Sequence, residues 1–355
     1  QMLGFTQEEV DTLLDQIYDE YGIEPSGRQQ VDEVIKTMYN GYHFVNPDVP
    51  AVYNPTMLMF FLRQFCEIQA IPDNLFDMNL RTDLEWIRRL TGGNVGNIKE
   101  FVSQLITDET IPYNRKTLVS QFNMSEFCKP VFYPVSLFYL GMLTKYDEFG
   151  LKLPNISMKE IVVEYFNELF QIDLGKEKYE EMMRSFVLNP DLVRLFADYW
   201  EIYIGQLPEA IFSQVNENFY RTTFFELCSR YLSPWFTWNI ERSYPQGRTD
   251  LEFVGKYHER FAGLRWVIEF KYFSHARWDQ QKMSIDELQV QEEDTRQISG
   301  YAEGLRLEYP ESKIRLFVIY CIGNKGFRVF EVTGNDPGEV MVPGSQKPGS
   351  APDNS

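Results

Sequence analysis

Asp250, Glu269 and Lys271 are the residues whose types and spacing point to chemistry. Arg265 to Tyr272 is rich in β-branched and aromatic side chains and reads as a strand, on which a period of two puts Glu269 and Lys271 on one face. Upstream, Gly247-Arg-Thr-Asp250 leads into a second strand, Leu251 to Val254, and Gly255 to Gly263 can turn the chain back. Such a hairpin carries Asp250 to the side of Glu269 and Lys271. Two neighbouring carboxylates repel unless a divalent cation sits between them, and hard oxygen ligands with room for water suit Mg²⁺ or Mn²⁺. The lysine beside them can hold a water or neutralise charge on a phosphate.

Single motifs are weak here. An E-x-K triplet arises by chance about once in a few hundred residues. The more literal match, Pro310-Glu-Ser-Lys313, reads as a turn entering the strand Ile314 to Ile322, with no Asp-bearing hairpin before it. The ordered set is more specific. Glu217-Asn-Phe-Tyr220 opens a helix, Glu241 accompanies Gly247-Arg-Thr-Asp250, Val267-Ile-Glu-Phe-Lys271 follows, and Gln297 and Tyr301 lie one turn apart on a later helix.

Together these segments, roughly residues 215 to 332, resemble the PD-(D/E)XK nuclease superfamily, and within it the branch fused to AAA-ATPase-like domains. The resemblance implies a restriction-endonuclease-like α/β domain with a mixed central sheet. It implies that Asp250, Glu269 and the Phe270 carbonyl hold Mg²⁺ or Mn²⁺, and that Lys271 orients the attacking water. Glu217 would complete the metal shell or hold its water, with Glu226 as a competitor on the same helix. Gln297 and Tyr301 would flank the site, touching phosphate or fixing Lys271, and Arg248 would contact a phosphate or tie back Glu241. The bland alternative is a Glu–Lys ladder on an exposed sheet face beside an unrelated Asp, each pair worth roughly 0.2–1 kcal/mol.

The 355 residues, 44% hydrophobic, can bury a sizeable core and suit two domains. A formal charge of −18 argues against a generic nucleic-acid binder. Its distribution softens that objection, since residues 1–220 hold 17 basic and 33 acidic side chains, whereas 221–332 hold 16 of each. A neutral domain can still present a basic cleft. No apolar run is long enough to span a membrane. Cys66, Cys128, Cys228 and Cys321 are scattered without metal-ligand spacing, as expected of reduced cysteines in the cytoplasm or nucleus, and His43, His258 and His275 are too far apart to suggest zinc. The start at Gln1, with no charged-then-apolar leader, reads as an excised piece.

In chain order, Thr6-Gln-Glu-Glu9 is a capping box before an amphipathic helix, Val31 to Tyr39 reads as a second helix, and an apolar helix runs from Pro55 through Phe65. Asn97 to Val131 reads as loops and short helices, Thr144 to Leu153 as a strand–turn–strand wing, and Ser157-Met-Lys-Glu160 as a capping box for a helix to about Ile172. The segments Leu3-Gly-Phe-Thr-x-x-Glu-Val10, Met38-Tyr-Asn-Gly-Tyr42, Tyr53-Asn-Pro55, Leu137-x-x-x-Gly-Met-Leu-Thr144 and Leu153-Pro-Asn155 are similar to the lid-like, winged-helix C-terminal half of the AAA-ATPase-like domain of the same proteins. No phosphate loop with Lys-Ser/Thr occurs, and Gly92-Gly-Asn-Val-Gly96 reads as a turn between helices, so ATP hydrolysis is not expected. Further helices span 176–215, Phe273 to Gln281 reads as a loop near the cleft, Ser284 to Leu305 as a helix, and Phe327 to Val332 as a last strand.

The chain so read holds a helical winged-helix-like domain (1–172), a helical connector (173–214), the nuclease-like domain (215–335) and a disordered tail (336–355). The expected activity is Mg²⁺- or Mn²⁺-dependent hydrolysis of DNA, with RNA second. The alternatives are a catalytically silent interaction module and a regulatory partner of an ATPase half outside this chain.

Overall fold

In the computed structural model the described residues up to Leu232 are mainly helical and lead into a mixed β-sheet. The structure describes residues 4–44, 47–75, 95–108, 110–114, 116, 123, 126–175, 177–244, 247–333 and 336–338. Helix α1 (Gln7–Tyr21) opens on the expected box: Thr6 Oγ1 accepts the Glu9 N–H at 3.3 Å, and Glu9 Oε2 accepts the Thr6 N–H at 2.8 Å. Helix α2 (Arg28–Tyr39) starts three residues before the expected Val31, and α3 (Pro55–Ile68) is capped by Asn54. Helix α4 (Val95–Thr107) is regular where loops and short helices are expected. Gly92 to Asn94 of the glycine-rich stretch lie outside the described residues, and Val95 already belongs to α4.

Strand β1 (Ile111–Pro112) and helix α5 (Tyr133–Tyr139) precede β2 (Thr144–Lys145) and β3 (Gly150–Lys152), which form the expected hairpin. β1 adds to it as a small antiparallel sheet in the order β1-β3-β2. Helix α6 (Ile156–Leu169) is capped by Asn155, whose Oδ1 accepts the Met158 N–H at 3.2 Å. The expected Ser157 box does not form, because Ser157 sits inside the first turn, its Oγ donates to the Met38 carbonyl at 2.7 Å, and Glu160 is buried. Helices α7 (Glu177–Leu188) and α8 (Leu192–Ile202) follow, and Asn216 caps α9 (Glu217–Leu232).

The last third supplies β4 (Phe236–Ile240), the short arms β5 (Ser243–Tyr244) and β6 (Gly247–Arg248), β7 (Leu251–Gly255), β8 (Leu264–Phe273), helices α10 (His275–Gln281) and α11 (Glu292–Glu308), β9 (Lys313–Ile322), β10 (Gly326–Thr333) and β11 (Asp336–Gly338). The expected loop at Phe273–Gln281 is in fact a helix from His275, capped by Ser274. The expected helix from Ser284 begins only at Glu292, since the Ser284–Glu287 box opens no more than a 3₁₀ turn. The sheet runs three residues into the stretch expected as a tail, and residues 339–355 lie outside the described ones.

The large sheet has the order β11-β10-β9-β8-β7-β4, antiparallel except for β8 with β9. A parallel pair needs a long crossover, which α10 and α11 provide, so α11 must lie over one sheet face. Side chains alternate accordingly. Trp266, Ile268 and Phe270 of β8 join a core with α9 that continues through the N-terminal helices to Val10, whereas Val267 and Phe273 join Ile298, Tyr301 and Leu305 of α11 in a second core. Glu269 and Lys271 share that second face.

The buried Glu160 of α6 tests this packing. Burial, with Glu226 and Glu164 nearby, holds its carboxyl well above the ordinary range although Ser229 and Arg230 pull it down. A carboxyl raised on folding contributes stability that is present below its unfolded pKa and lost as pH rises. Glu160→Gln is therefore expected to raise Tm by a few degrees at pH 8 and leave it nearly unchanged at pH 4.5, read by thermal unfolding; an equal shift at both pH values would contradict the assignment.

Candidate active site

The site lies where β4 and β7 end beside the longer β8. Ile240 pairs with Leu251 and Leu251 with Ile268, so the next row holds Glu241, Asp250 and Glu269. Where the β7 ladder stops, the Phe270 N–H donates to Asp250 Oδ2 at 2.7 Å, and the Glu241 N–H donates to the Asp250 carbonyl at 3.2 Å. Arg221, one turn after Glu217 on α9 and 3% exposed, donates from Nη1 to Asp250 Oδ1 and from Nη2 to Glu241 Oε1, each at 2.7 Å. Lys159 of α6 donates to Glu241 Oε2, also at 2.7 Å.

The α11 face completes the arrangement. Lys271 Nζ donates to Glu269 Oε1 at 3.1 Å and to Gln297 Oε1 at 3.2 Å, and lies 3.4 Å from Asp294 Oδ1. Gln297 Nε2 donates to Glu269 Oε1 at 2.7 Å and to the Tyr301 hydroxyl at 2.8 Å, and that hydroxyl donates to the Arg248 carbonyl at 3.0 Å. A single amide thus fixes both members of the Glu–Lys pair.

Burial and the nearby Asp250 charge push the Glu269 carboxyl up to about 8, and Lys271 only partly offsets them; Glu217 raises it further. Burial works against the Lys271 ammonium too, but Glu269, Asp294 and Asp250 outweigh it and hold the lysine cationic. Glu241 shows the opposite balance to Glu269: despite its burial, Lys159 and Arg221 keep it well below the usual carboxylate range. The difference between these two buried carboxylates is the number of cations facing each.

The expected residues Asp250, Glu269, Lys271, Gln297 and Tyr301 are brought together. Glu217 stands exposed at the first turn of α9, and Arg248, half-exposed, lies 3.9 Å from Glu241 Oε1. Glu226 is turned away: it is buried, bonded to Arg230, and accepts from Asn167 Nδ2 at 3.3 Å on the α6 side. The competitor is therefore a structural carboxylate. Arg221, Asp294 and Lys159 were not read from the sequence. The first two had a signal, lying four residues after Glu217 and three before Gln297 on shared helix faces; Lys159, distant in sequence, had none.

Among the described residues, no group of three His, Cys, Asp or Glu is spaced to hold a metal ion by itself. The donor chemistry nevertheless fits a hard divalent cation. Glu269 Oε2 is buried without a hydrogen-bond partner, and the repulsion that raises this carboxyl is what a bound cation relieves. Mg²⁺ commonly takes one or two carboxylates and keeps several waters, so Asp250 and Glu269 suffice as protein ligands.

Residues 215–331 match the family model described as the PD-(D/E)XK nuclease superfamily, so this part of the chain is a domain of that superfamily. No curated protein and no solved structure matches the chain significantly.

The placement of the two α9 carboxylates gives a direct expectation. In calorimetric titration with Mn²⁺, Glu217→Gln weakens binding by about tenfold, in line with the loss of an outer partner, and Glu226→Gln leaves it within error of the unaltered protein.

Proposed function

We propose that this superfamily domain is a Mg²⁺- or Mn²⁺-dependent nuclease that hydrolyses phosphodiester bonds of DNA, with RNA as the second substrate. The observation that carries the reading is the Lys271 clamp: an ammonium fixed by Glu269, Gln297 and Asp294 next to Asp250. Asp250 and Glu269 would hold the cation, with the Phe270 carbonyl beside them and Glu217 fixing a metal-bound water. Bound there, a divalent cation supplies charge neutralisation at the phosphate and a more acidic water.

The chain's own residues do the rest. Lys271 presents a fixed positive charge to the attacking water and to the negative charge that grows on the phosphate, without reorganising as it does so. Gln297, held by Tyr301, keeps that ammonium from swinging away. Arg248 at the rim contacts a flanking phosphate, an electrostatic contact that does not select sequence.

One observation favours the silent-module alternative. Both Asp250 oxygens already have partners, Arg221 and the Phe270 N–H, so part of the charge a cation would use is engaged. In that reading the fold binds nucleic acid or protein without cutting. For the N-terminal region, the hairpin Thr144–Lys152 supports the winged-helix-like reading, and the likeness to a lid-like half of an AAA-ATPase-like domain rests on the sequence segments alone. No described helix is long and apolar enough to cross a membrane.

Cleavage of supercoiled plasmid, single-stranded DNA and RNA in Mg²⁺ or Mn²⁺ tests the hydrolase. Cutting is expected with either metal and none in chelator, and Asp250→Ala and Lys271→Ala each lower the rate by on the order of a hundredfold or more. Absence of cutting together with absence of Mn²⁺ binding transfers the assignment to the silent module.

A further inference from the structure

We infer that Lys159, on a helix outside the superfamily domain, is a positioning residue for the metal-site carboxylate Asp250, acting through Glu241 and Arg221. The inference rests on the proposed hydrolase for its kinetic readout, but its structural content stands apart from it. Four contacts run in series: Lys159 Nζ to Glu241 Oε2, Glu241 Oε1 to Arg221 Nη2, Arg221 Nη1 to Asp250 Oδ1, and Asp250 Oδ2 to the Phe270 N–H, each at 2.7 Å. Arg221 is 3% exposed and Lys159, Glu241 and Asp250 are each less than a quarter exposed, so the contacts are poorly screened.

Three independent features show that the series is held rather than incidental. First, Glu241 has φ of +55°, a left-handed conformation that a non-glycine residue keeps only when its surroundings over-determine it. Its surroundings do: the N–H bonds to the Asp250 carbonyl and both carboxylate oxygens meet cations. Second, the first turn of α6 that carries Lys159 is itself pinned. Asn155 Nδ2 donates to the Asn40 carbonyl at 2.9 Å and Ser157 Oγ to the Met38 carbonyl at 2.7 Å. Third, Lys159, Glu241, Arg221 and Arg248 share one wall of a cleft of about 900 Å³ between the N-terminal helices and the domain, from which Asp250 itself is absent. Lys159 therefore reaches the carboxylate through the arginine and not across open space.

The physical role follows from Arg221. One guanidinium serves two carboxylates, and its fork geometry fixes where Asp250 Oδ1 points. With Lys159 removed, Glu241 retains Arg221 as its close cation and draws the guanidinium away from Asp250. The carboxylate that must meet a cation beside Glu269 then loses one of its two anchors. A misplacement of this size affects the reacting geometry more than the affinity for substrate.

The test uses the full chain and two readouts. Lys159→Met is expected to lower kcat by about tenfold or more with KM within about twofold, and Lys159→Arg to restore most of the rate. Glu241→Gln, which keeps the side-chain size, is expected to give the same kcat loss and serves if Lys159→Met folds poorly. In the second readout, the Tm shift caused by Asp250→Asn is expected to differ between the unaltered and Lys159→Met proteins although the two side chains do not touch. Equal Tm shifts, or a cutting enzyme indifferent to Lys159→Met, overturn the relay. So does a raised KM with a shallower salt dependence and an intact kcat, which makes Lys159 a phosphate contact. Unequal Tm shifts in a protein that neither cuts nor binds Mn²⁺ keep the relay and remove the hydrolase.

Discussion

Glu241, Asp250 and Glu269 stand in one row across three neighbouring strands, and no such row survives folding unless cations are interleaved with it. The chain meets this constraint unevenly. Lys159 and Arg221 leave Glu241 fully ionised, Arg221 and a backbone N–H satisfy Asp250, and Glu269 receives one lysine, an amide and an orphaned oxygen. Charge compensation thus thins from one end of the row to the other. Breaking a buried ion pair by removing one member costs roughly 3–5 kcal/mol, so Arg221 secures the row as structure. The deficit at Glu269 leaves room for a ligand of positive charge.

The topology puts that deficit within reach of α11. Because β8 and β9 run parallel, the chain must cross over a sheet face, and the crossover helix covers the side that carries Glu269 and Lys271. Asp294, Gln297 and Tyr301 lie on the facing stripe of that helix, and the apolar contacts of Ile298, Ala302 and Leu305 hold it in register. On the other face α9 packs Phe224 and Phe225 into an aromatic core and brings charge to the row from its N-terminal part, where Arg221 meets Asp250 and Glu241.

Much of this was legible in the sequence wherever local periodicity governs. The alternation in Arg265 to Tyr272 gave the face shared by Glu269 and Lys271, and the hairpin between Val254 and Arg265 gave the neighbourhood of Asp250. Helix starts were legible only when a cap had no competitor. Thr6 behaves as written, whereas Ser157 and Ser284 carry the same signature and lose to Asn155 and to a 3₁₀ turn. Local capping chemistry cannot say which of two adjacent polar residues tertiary contacts will claim, and Met38 claims Ser157. Lys159 was illegible for a stronger reason, because its meaning depends on Glu241, 82 residues later, in a backbone conformation that composition does not reveal.

These points bear on what counts as the site. A superfamily match ending at residues 215 and 331 suggests a self-contained unit, but the junction with the preceding helices is polar and specific. Gln30 bonds to Thr237, Gly255 and Tyr257, the fully buried Lys256 donates to the carbonyls of Ile71 and Pro72, and Asn216 and Asn218 both donate to the Thr107 carbonyl next to Glu217. A polar junction lacks the tolerance of an apolar one, since each donor needs its acceptor at a set distance and direction. Shifting the N-terminal helices would therefore break hydrogen bonds at the start of α9 and at the ends of β4 and β7 away from the row at once. The helical region acts as part of the wall against which Asp250 and Glu217 are set, so its acidic surplus is compatible with the proposed phosphodiester site. The acidic side chains Asp11, Asp32 and Glu33 line the cleft beside the N-terminal helices, whereas Lys271 lies on the α11 face, outside its walls.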